Sequence, residues 1–205
     1  MSAPDFEFWY EFGSTYSYLS ASRIEDLAHT AGVAVSWRPF LLGPIFKEQG
    51  WEDSPFNVYP AKGRYMWRDM ERLCAKYGVP FARPSSFPRN GLLATRVACL
   101  ASAGFEPWLP NFVRAVFRAN FAEDREIGDA VEIRSIIDDI GQPGAELVEQ
   151  AQTPENKQRL RKHTQRAIEL GIFGAPSFVV DGELFWGNDR VEDALTWHKA
   201  HTGSY

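Results

Sequence analysis

Sulfur is scarce in this chain. Its 205 residues include two cysteines, Cys74 and Cys99, far apart in sequence. Without a Cys-x-x-Cys pair there is no local dithiol centre, and without clustered cysteines a metal site has no evident ligand set. Both cysteines fall in stretches of helical pattern and read as small buried hydrophobes in a reducing cytosol. No apolar run reaches the roughly 18 residues that a membrane-spanning helix needs. The opening Met-Ser-Ala-Pro-Asp lacks the basic start and apolar centre of a secretory signal, so a cytoplasmic location is expected. A net charge of −5 leaves no basic surplus for nucleic acid. Repeats and low-complexity tracts are absent. The length suffices for a sizeable core in one or two domains.

Aromatic residues are plentiful, with fifteen phenylalanines and seven tryptophans. Most must be core. Trp9, Phe40, Trp67 and Trp186 are also candidates for the walls of an aromatic-binding pocket. The most informative stretch is 172–190. There a small-residue turn, Gly174-Ala175-Pro176, leads into an apolar strand, Ser177–Val180. Asp181-Gly182 makes a tight turn, and Glu183–Trp186 returns as a second strand. A proline placed just before a strand is a position for a cis peptide bond.

A cis-proline followed by a hairpin resembles the substrate-binding corner of thioredoxin-like proteins. Their second active-site segment follows the first strand, and the N-terminus here has that shape. Phe6–Phe12 has strand character, Gly13-Ser14-Thr15 breaks it, and a helical face follows until Gly32. Redox-active relatives open this helix with Cys-x-x-Cys. Here the four positions are Ser14-Thr15-Tyr16-Ser17, which argues for a site that holds the thiol of another molecule. By itself Ser14 reads equally well as a helix cap taking the amide of Ser17, worth about 1 kcal/mol. The two roles are compatible, because helix N-terminal amides favour a nearby thiolate.

Phe-x-Ser-x-x-Ser-Tyr-Leu at 12–19, Phe-Gly-Ala-Pro-Ser-Phe at 173–178 and Phe-Trp-Gly-Asn-Asp-Arg at 185–190 together resemble the 2-hydroxychromene-2-carboxylate isomerases. These are glutathione-dependent and similar to kappa-class glutathione transferases and DsbA-type oxidoreductases. Thr15 departs from the pattern, which usually has proline there. The resemblance implies that Ser14 is the catalytic serine on the glutathione sulfur. It implies that Ala175, beside Pro176, pairs its backbone with the cysteinyl part, as an added strand does. Asn188 and Asp189 are implied to hold the γ-glutamyl end, and Trp186 to wall the pocket. Asn57 is implied as a further glutathione contact, although asparagine in a proline-rich loop is ordinary turn chemistry. Lys62 is a candidate for a substrate carboxylate, or a solvated helix start. Asn90 corresponds to a position near the organic substrate, or caps the helix after it. Asp189 also fits a capping box with Glu192 ahead of Val191, Ala194, Leu195 and His198.

Val33–Phe40 reads as the second strand. Residues 43–61 read as a long loop with at most a short helix. Helical spacing then runs to about 164, with stripes at Met66/Met70/Leu73/Cys74/Tyr77, Leu93/Val97/Leu100/Ala101, Phe112/Val113/Val116/Phe117/Asn120 and Ile133/Ile136/Ile137/Ile140. Asp129 with Glu132 is expected to cap the last of these, and Thr153-Pro154 to open a further helix ending at Gly171. The expected fold is α/β, a thioredoxin-like domain (1–42 and 165–205) with a large all-helical insertion (43–164). The ligand cleft is expected between them.

The function implied is glutathione-dependent cis–trans isomerisation of 2-hydroxychromene-2-carboxylate or a related aromatic-degradation intermediate. The cofactor is glutathione, the substrate a small aromatic carboxylate, and the assembly a homodimer; no metal, nucleic acid or membrane is expected. The alternatives are a kappa-type transferase that forms conjugates and a non-catalytic thioredoxin-like binding protein.

Overall fold

The computed structural model describes residues 6–202. Its frame is a mixed four-stranded sheet in the order β2-β1-β3-β4. β1 (Phe6–Tyr10) runs parallel to β2 (Val35–Pro39) and antiparallel to β3 (Ser177–Val180), which pairs in turn with β4 (Glu183–Trp186). Every residue of β1 is buried, as expected for a central strand covered on both faces. Alternation decides which side each residue serves. Phe6, Phe8 and Tyr10 enter the main core, whereas Trp9 packs with Phe40, Ile45, Ala167, Ile172 and Val179 on the other face. Trp9 and Phe40, candidates for a pocket wall, are therefore core residues. Glu7 is 2% exposed, and Arg38 (3.1 Å), Arg166 (2.9 Å) and the Trp9 indole (3.0 Å) hold its carboxylate.

The β3–β4 hairpin closes at Val180↔Glu183 over Asp181 (φ 51°) and Gly182 (φ 83°). Two consecutive left-handed residues make the tight turn that matches strand twist, which is why Asp-Gly signals it. α1 (Thr15–Ala31) starts at Ser14, whose hydroxyl accepts the Ser17 amide, and stops at Gly32 (φ 71°).

Eight helices separate β2 from β3 among the described residues: α2 (Leu42–Glu48), α3 (Pro55–Val58), α4 (Pro60–Tyr77), α5 (Leu92–Gly104), α6 (Leu109–Phe121), α7 (Ala130–Asp139), α8 (Gly144–Ala151) and α9 (Pro154–Glu169). After β4 a short 3-10 turn, Asn188–Arg190, leads into α10 (Val191–Thr202). This is the thioredoxin-like α/β fold with a helical insertion. Residues 43–61 differ from expectation, since they hold α2, α3 and the start of α4. Pro55 and Pro60 occupy first-turn positions, where a missing N–H costs nothing, so they start helices rather than break them. The boundary expected at 164/165 falls inside α9. That helix touches α5 and α8 as well as α2 and β2. Both expected capping boxes are replaced. Asp129 caps the Val131 amide while Glu132 pairs with Arg125 (2.6 Å). Glu192 pairs with Arg23 of α1, and Asp189 lies in the 3-10 turn. None of the described helices is long and apolar enough to cross a membrane.

Candidate active site

The two segments singled out in the sequence meet. The Ala175–Pro176 peptide is cis, and the Ser14 hydroxyl donates to the Ala175 carbonyl oxygen at 2.8 Å. The same oxygen of Ser14 accepts the Ser17 amide at 3.1 Å. The amides of Thr15, Tyr16 and Ala175 have no acceptor among the described residues, and the buried Thr15 hydroxyl is also unpartnered. Free N–H groups at the start of a helix form a ready seat for an anion, including a thiolate. The chain's own thiols do not supply one. Cys74 and Cys99 are free and buried, and burial pushes each up to about 11.

This corner opens on a cavity of about 1380 Å³. Ser14, Thr15 and Tyr16 form one wall, and Ala175, Pro176 and Trp186 the next. One face of α4 closes the third side with Lys62, Tyr65, Asp69, Leu73 and Lys76, at the spacing of helical neighbours. The loop carrying Pro88, Asn90 and Gly91 completes it. Single-ligand pockets measure about 300–1,000 Å³, so this one has room for two ligands side by side.

Ser14, Ala175, Pro176, Trp186, Asn188, Asp189, Lys62 and Asn90 are thus brought together around one cavity. Asn57 is not among its lining residues. Its amide donates to Asp53 (3.0 Å) and the Phe87 carbonyl (3.3 Å), and it borders a separate depression with Trp67. Trp67 stacks edge-on against Phe87 at 4.8 Å under the Arg83 guanidinium, so it too lies outside the main cavity. Asn188 is 4% exposed, and its carboxamide oxygen accepts from Ser20 (3.2 Å) and Arg23 (3.3 Å), which fixes the 3-10 turn on α1. Asp189 is open to solvent beside Arg190. The Lys62 ammonium lies 4.9 Å from the Tyr59 ring centre. Asn90 accepts the Leu92 amide at 3.0 Å, a local capping role, while still lining the cavity. A Cβ at Gly174 would stand 2.4 Å from the Trp186 indole nitrogen, so a side chain there would have to displace the indole.

Sequence reasoning missed three features. Tyr16 reaches across the cavity to Asp69 (3.0 Å), and burial with the nearby carboxylate raises its phenol well above the usual range. Arg89, 6% exposed, clamps the Pro88–Gly91 loop. It binds Asp124, Glu126 (3.2 Å) and Asn120 (3.2 Å), and Asn120 in turn donates to the Phe12 carbonyl (3.1 Å). The Phe87–Pro88 peptide in this loop is also cis. Third, Glu11 lines the cavity two residues before Gly13, whose amide it accepts at 2.9 Å. Burial pushes its carboxyl up to about 7, and that hydrogen bond only partly opposes the shift. The signal was present as an acid at the end of an aromatic strand.

The sequence model of the DSBA-like thioredoxin domain matches residues 6–196. The chain belongs to this family. Over 188 residues it is 32% identical to a 2-hydroxychromene-2-carboxylate isomerase of Sphingobium xenophagum, covering 91% of this chain and 93% of that one. It is 27% identical to glutathione S-transferase kappa 1 of Rattus norvegicus, covering 91% of this chain and 87% of the relative. A solved 2-hydroxychromene-2-carboxylate isomerase superposes with a TM-score of 0.83 over 97% of this chain and 94% of its own, at 23% identity, which speaks for the fold. Within the family, α1 of this chain opens with hydroxyls where a dithiol would need sulfur.

Proposed function

We propose that the protein is a glutathione-dependent cis–trans isomerase of 2-hydroxychromene-2-carboxylate or a related aromatic carboxylate. One observation carries the reading. A serine hydroxyl and unpaired helix amides meet the backbone of a cis-proline corner, at the edge of a cavity large enough for a tripeptide and an aromatic acid together. The donor set fits glutathione. The Ala175 N–H offers strand-like pairing, Thr15 and Tyr16 offer amides to an anionic sulfur, and the exposed Asp189 carboxylate suits an ammonium. Glutathione would supply a thiolate that adds reversibly to the conjugated carbon of an unsaturated pyruvate, making its double bond single and free to turn.

The chain's part is to bind, orient and balance charge. Ser14 and the first-turn amides favour the thiolate over the thiol. Lys62 stands on the α4 wall as a cation for the substrate carboxylate, and Asn90 as a polar group near the organic ligand. Similarity to the isomerases and the transferases alike supports an enzyme of this kind. Release of a glutathione conjugate is the second reading, favoured by the similarity to the kappa transferase.

The test follows 2-hydroxychromene-2-carboxylate by ultraviolet absorbance with and without glutathione while free thiol is titrated. Turnover that requires glutathione without consuming it is expected. Thiol loss with an adduct mass would move the protein to the transferases. Absence of both turnover and glutathione binding would refute the reading.

A further inference from the structure

We propose, resting on the isomerase reading above, that Glu11 is the proton carrier of this site, lending the proton on Oε1 to the substrate's carbonyl oxygen and taking it back when the double bond re-forms. The two acids of the first strand region make the contrast. Glu7 is neutralised by Arg38 and Arg166, whereas Glu11 has no cation bound to it among the described residues. Its one bond, to the Gly13 amide, uses Oε2, and a glutamine would make it equally well. Oε1 has no donor. Glycines flank the carboxyl: a Cβ on Gly13 would stand 3.0 Å from Oε2, and one on Gly91 would stand 3.7 Å from Oε1. Their absence leaves the group open to the cavity it lines. A carboxyl kept without a cation, in a cleft, at a pKa of about 7, is equipped to exchange a proton near neutral pH.

Other charges face the same cavity. Lys62, Asp69 and Lys76 project from α4, with Asp69 bound to Tyr16 and Arg72. Arg89 is committed to Asp124 and Glu126. Glu52, Asp53 and Asp189 lie on the rim segments. An anionic sulfur and a substrate carboxylate entering this space raise Glu11 further, so the loaded site holds it protonated. The exchange balances. As sulfur bonds to the conjugated carbon, the double-bond pair moves toward the carbonyl. The carbonyl oxygen takes the proton from Oε1, and the pair of the broken O–H bond stays on Glu11. Elimination reverses each transfer, and nothing is consumed.

The test compares wild type with Glu11→Gln in two measurements. The first is calorimetry of glutathione binding at pH 8 in buffers of different ionisation enthalpy. Wild type should release less proton than the variant, by roughly half a proton or more, because Glu11 takes up what the thiol sheds. The second is the pH profile of isomerisation. Glu11→Gln should lower kcat about 100-fold and lose the alkaline fall in rate, while binding glutathione at pH 8 more tightly than wild type because no carboxylate has to be neutralised, and Glu11→Asp should restore that fall. Equal proton release, or an active wild type matched by Glu11→Gln in kcat and profile, overturns the proposal alone. A wild type that binds glutathione but turns nothing over overturns the isomerase reading, and this proposal with it.

Discussion

The Ser14 hydroxyl gives its single proton to the Ala175 carbonyl, 2.8 Å away where α1 meets the cis-proline loop, while accepting the Ser17 amide at 3.1 Å. The oxygen is a helix cap and the proton is a latch between α1 and the cis-proline loop. On the function proposed above, donating to a thiolate would require the hydroxyl to turn from Ala175, so the sulfur would draw much of its stabilisation from the Thr15 and Tyr16 amides. Ser14→Ala is expected to lose about 1–2 kcal/mol, one cap and one neutral hydrogen bond, lowering Tm by roughly 2–8 °C. The pKa of bound glutathione should rise by about one unit, read from thiolate absorbance. Unchanged thiolate formation would remove Ser14 from the chemistry while leaving its structural role.

Gly174 and Trp186 give a second expectation. Gly174 has no positive φ, so alanine there meets only the indole. Trp186 is 52% exposed and can swing outward. Gly174→Ala should therefore cost under about 1 kcal/mol in stability. It should shift tryptophan fluorescence and weaken glutathione binding by reshaping the wall beside Ala175. Wild-type emission and affinity would show that the indole accommodates the methyl in place.

Much of this site was legible because its two halves carry local chemistry. Asp181-Gly182 demands left-handed backbone, Ser14 stands where a helix must be capped, and Pro176 sits at a strand start. Each signal needs only a few residues. The features that the sequence concealed depend on distance in the chain. Whether Trp9 lines a pocket depends on α9 and the second core, far along the chain. Whether Pro55 breaks or starts a helix depends on whether the residues after it go on to form one. Glu11 and Glu7 look alike in sequence, and only the placement of Arg38 and Arg166 separates them. The Arg89 clamp ties its own loop to Asn120, Asp124 and Glu126, far along the chain, so no local pattern announces it.

That clamp carries a stability prediction. Arg89→Met leaves Asp124 and Glu126 free to rehydrate, since their side chains are 43% and 56% exposed. The cost should be about 2 kcal/mol rather than the larger value of a stranded buried charge. Backbone and side-chain bonds from Ser85, with Arg89, hold the Asp124 carboxyl at about 2. A depressed carboxyl stabilises the fold above its ordinary pKa and loses that contribution as pH falls toward the folded value. Urea titrations should therefore show the gap between wild type and Arg89→Met narrowing from pH 4 toward pH 2.

Glu11 works in the opposite direction. Its folded pKa is raised, so the fold binds the proton more tightly than the unfolded chain does. That contribution is fully present below about pH 4.5 and is lost as pH rises through 7. A rise from 4.5 to about 7 corresponds to about 3 kcal/mol, less the part that cavity water screens. Glu11→Gln should accordingly be more stable than wild type at pH 8, by roughly 1–3 kcal/mol, and show little difference at pH 4. A variant equally stable at both pH values would mean that the carboxyl is hydrated and ordinary.

Lys62 decides between a substrate contact and a solvated helix start. Asp69, farther along the α4 wall of the cavity, is bound to Tyr16 and Arg72, so its charge is partly neutralised. Lys62 makes a cation–π contact with Tyr59 and no ion pair among the described residues, which leaves its charge available to a ligand. A charge-assisted bond to a carboxylate is worth about 1.5–3 kcal/mol, or roughly 10–100-fold in affinity. Lys62→Met should therefore raise KM for the aromatic carboxylate by about tenfold or more, with kcat and glutathione affinity little changed. Lys62→Arg should restore most of the loss, because the requirement is a cation at that wall. An unchanged KM in Lys62→Met, with a rise in Lys76→Met, would move the carboxylate toward the C-terminal end of α4 and turn the bound substrate accordingly.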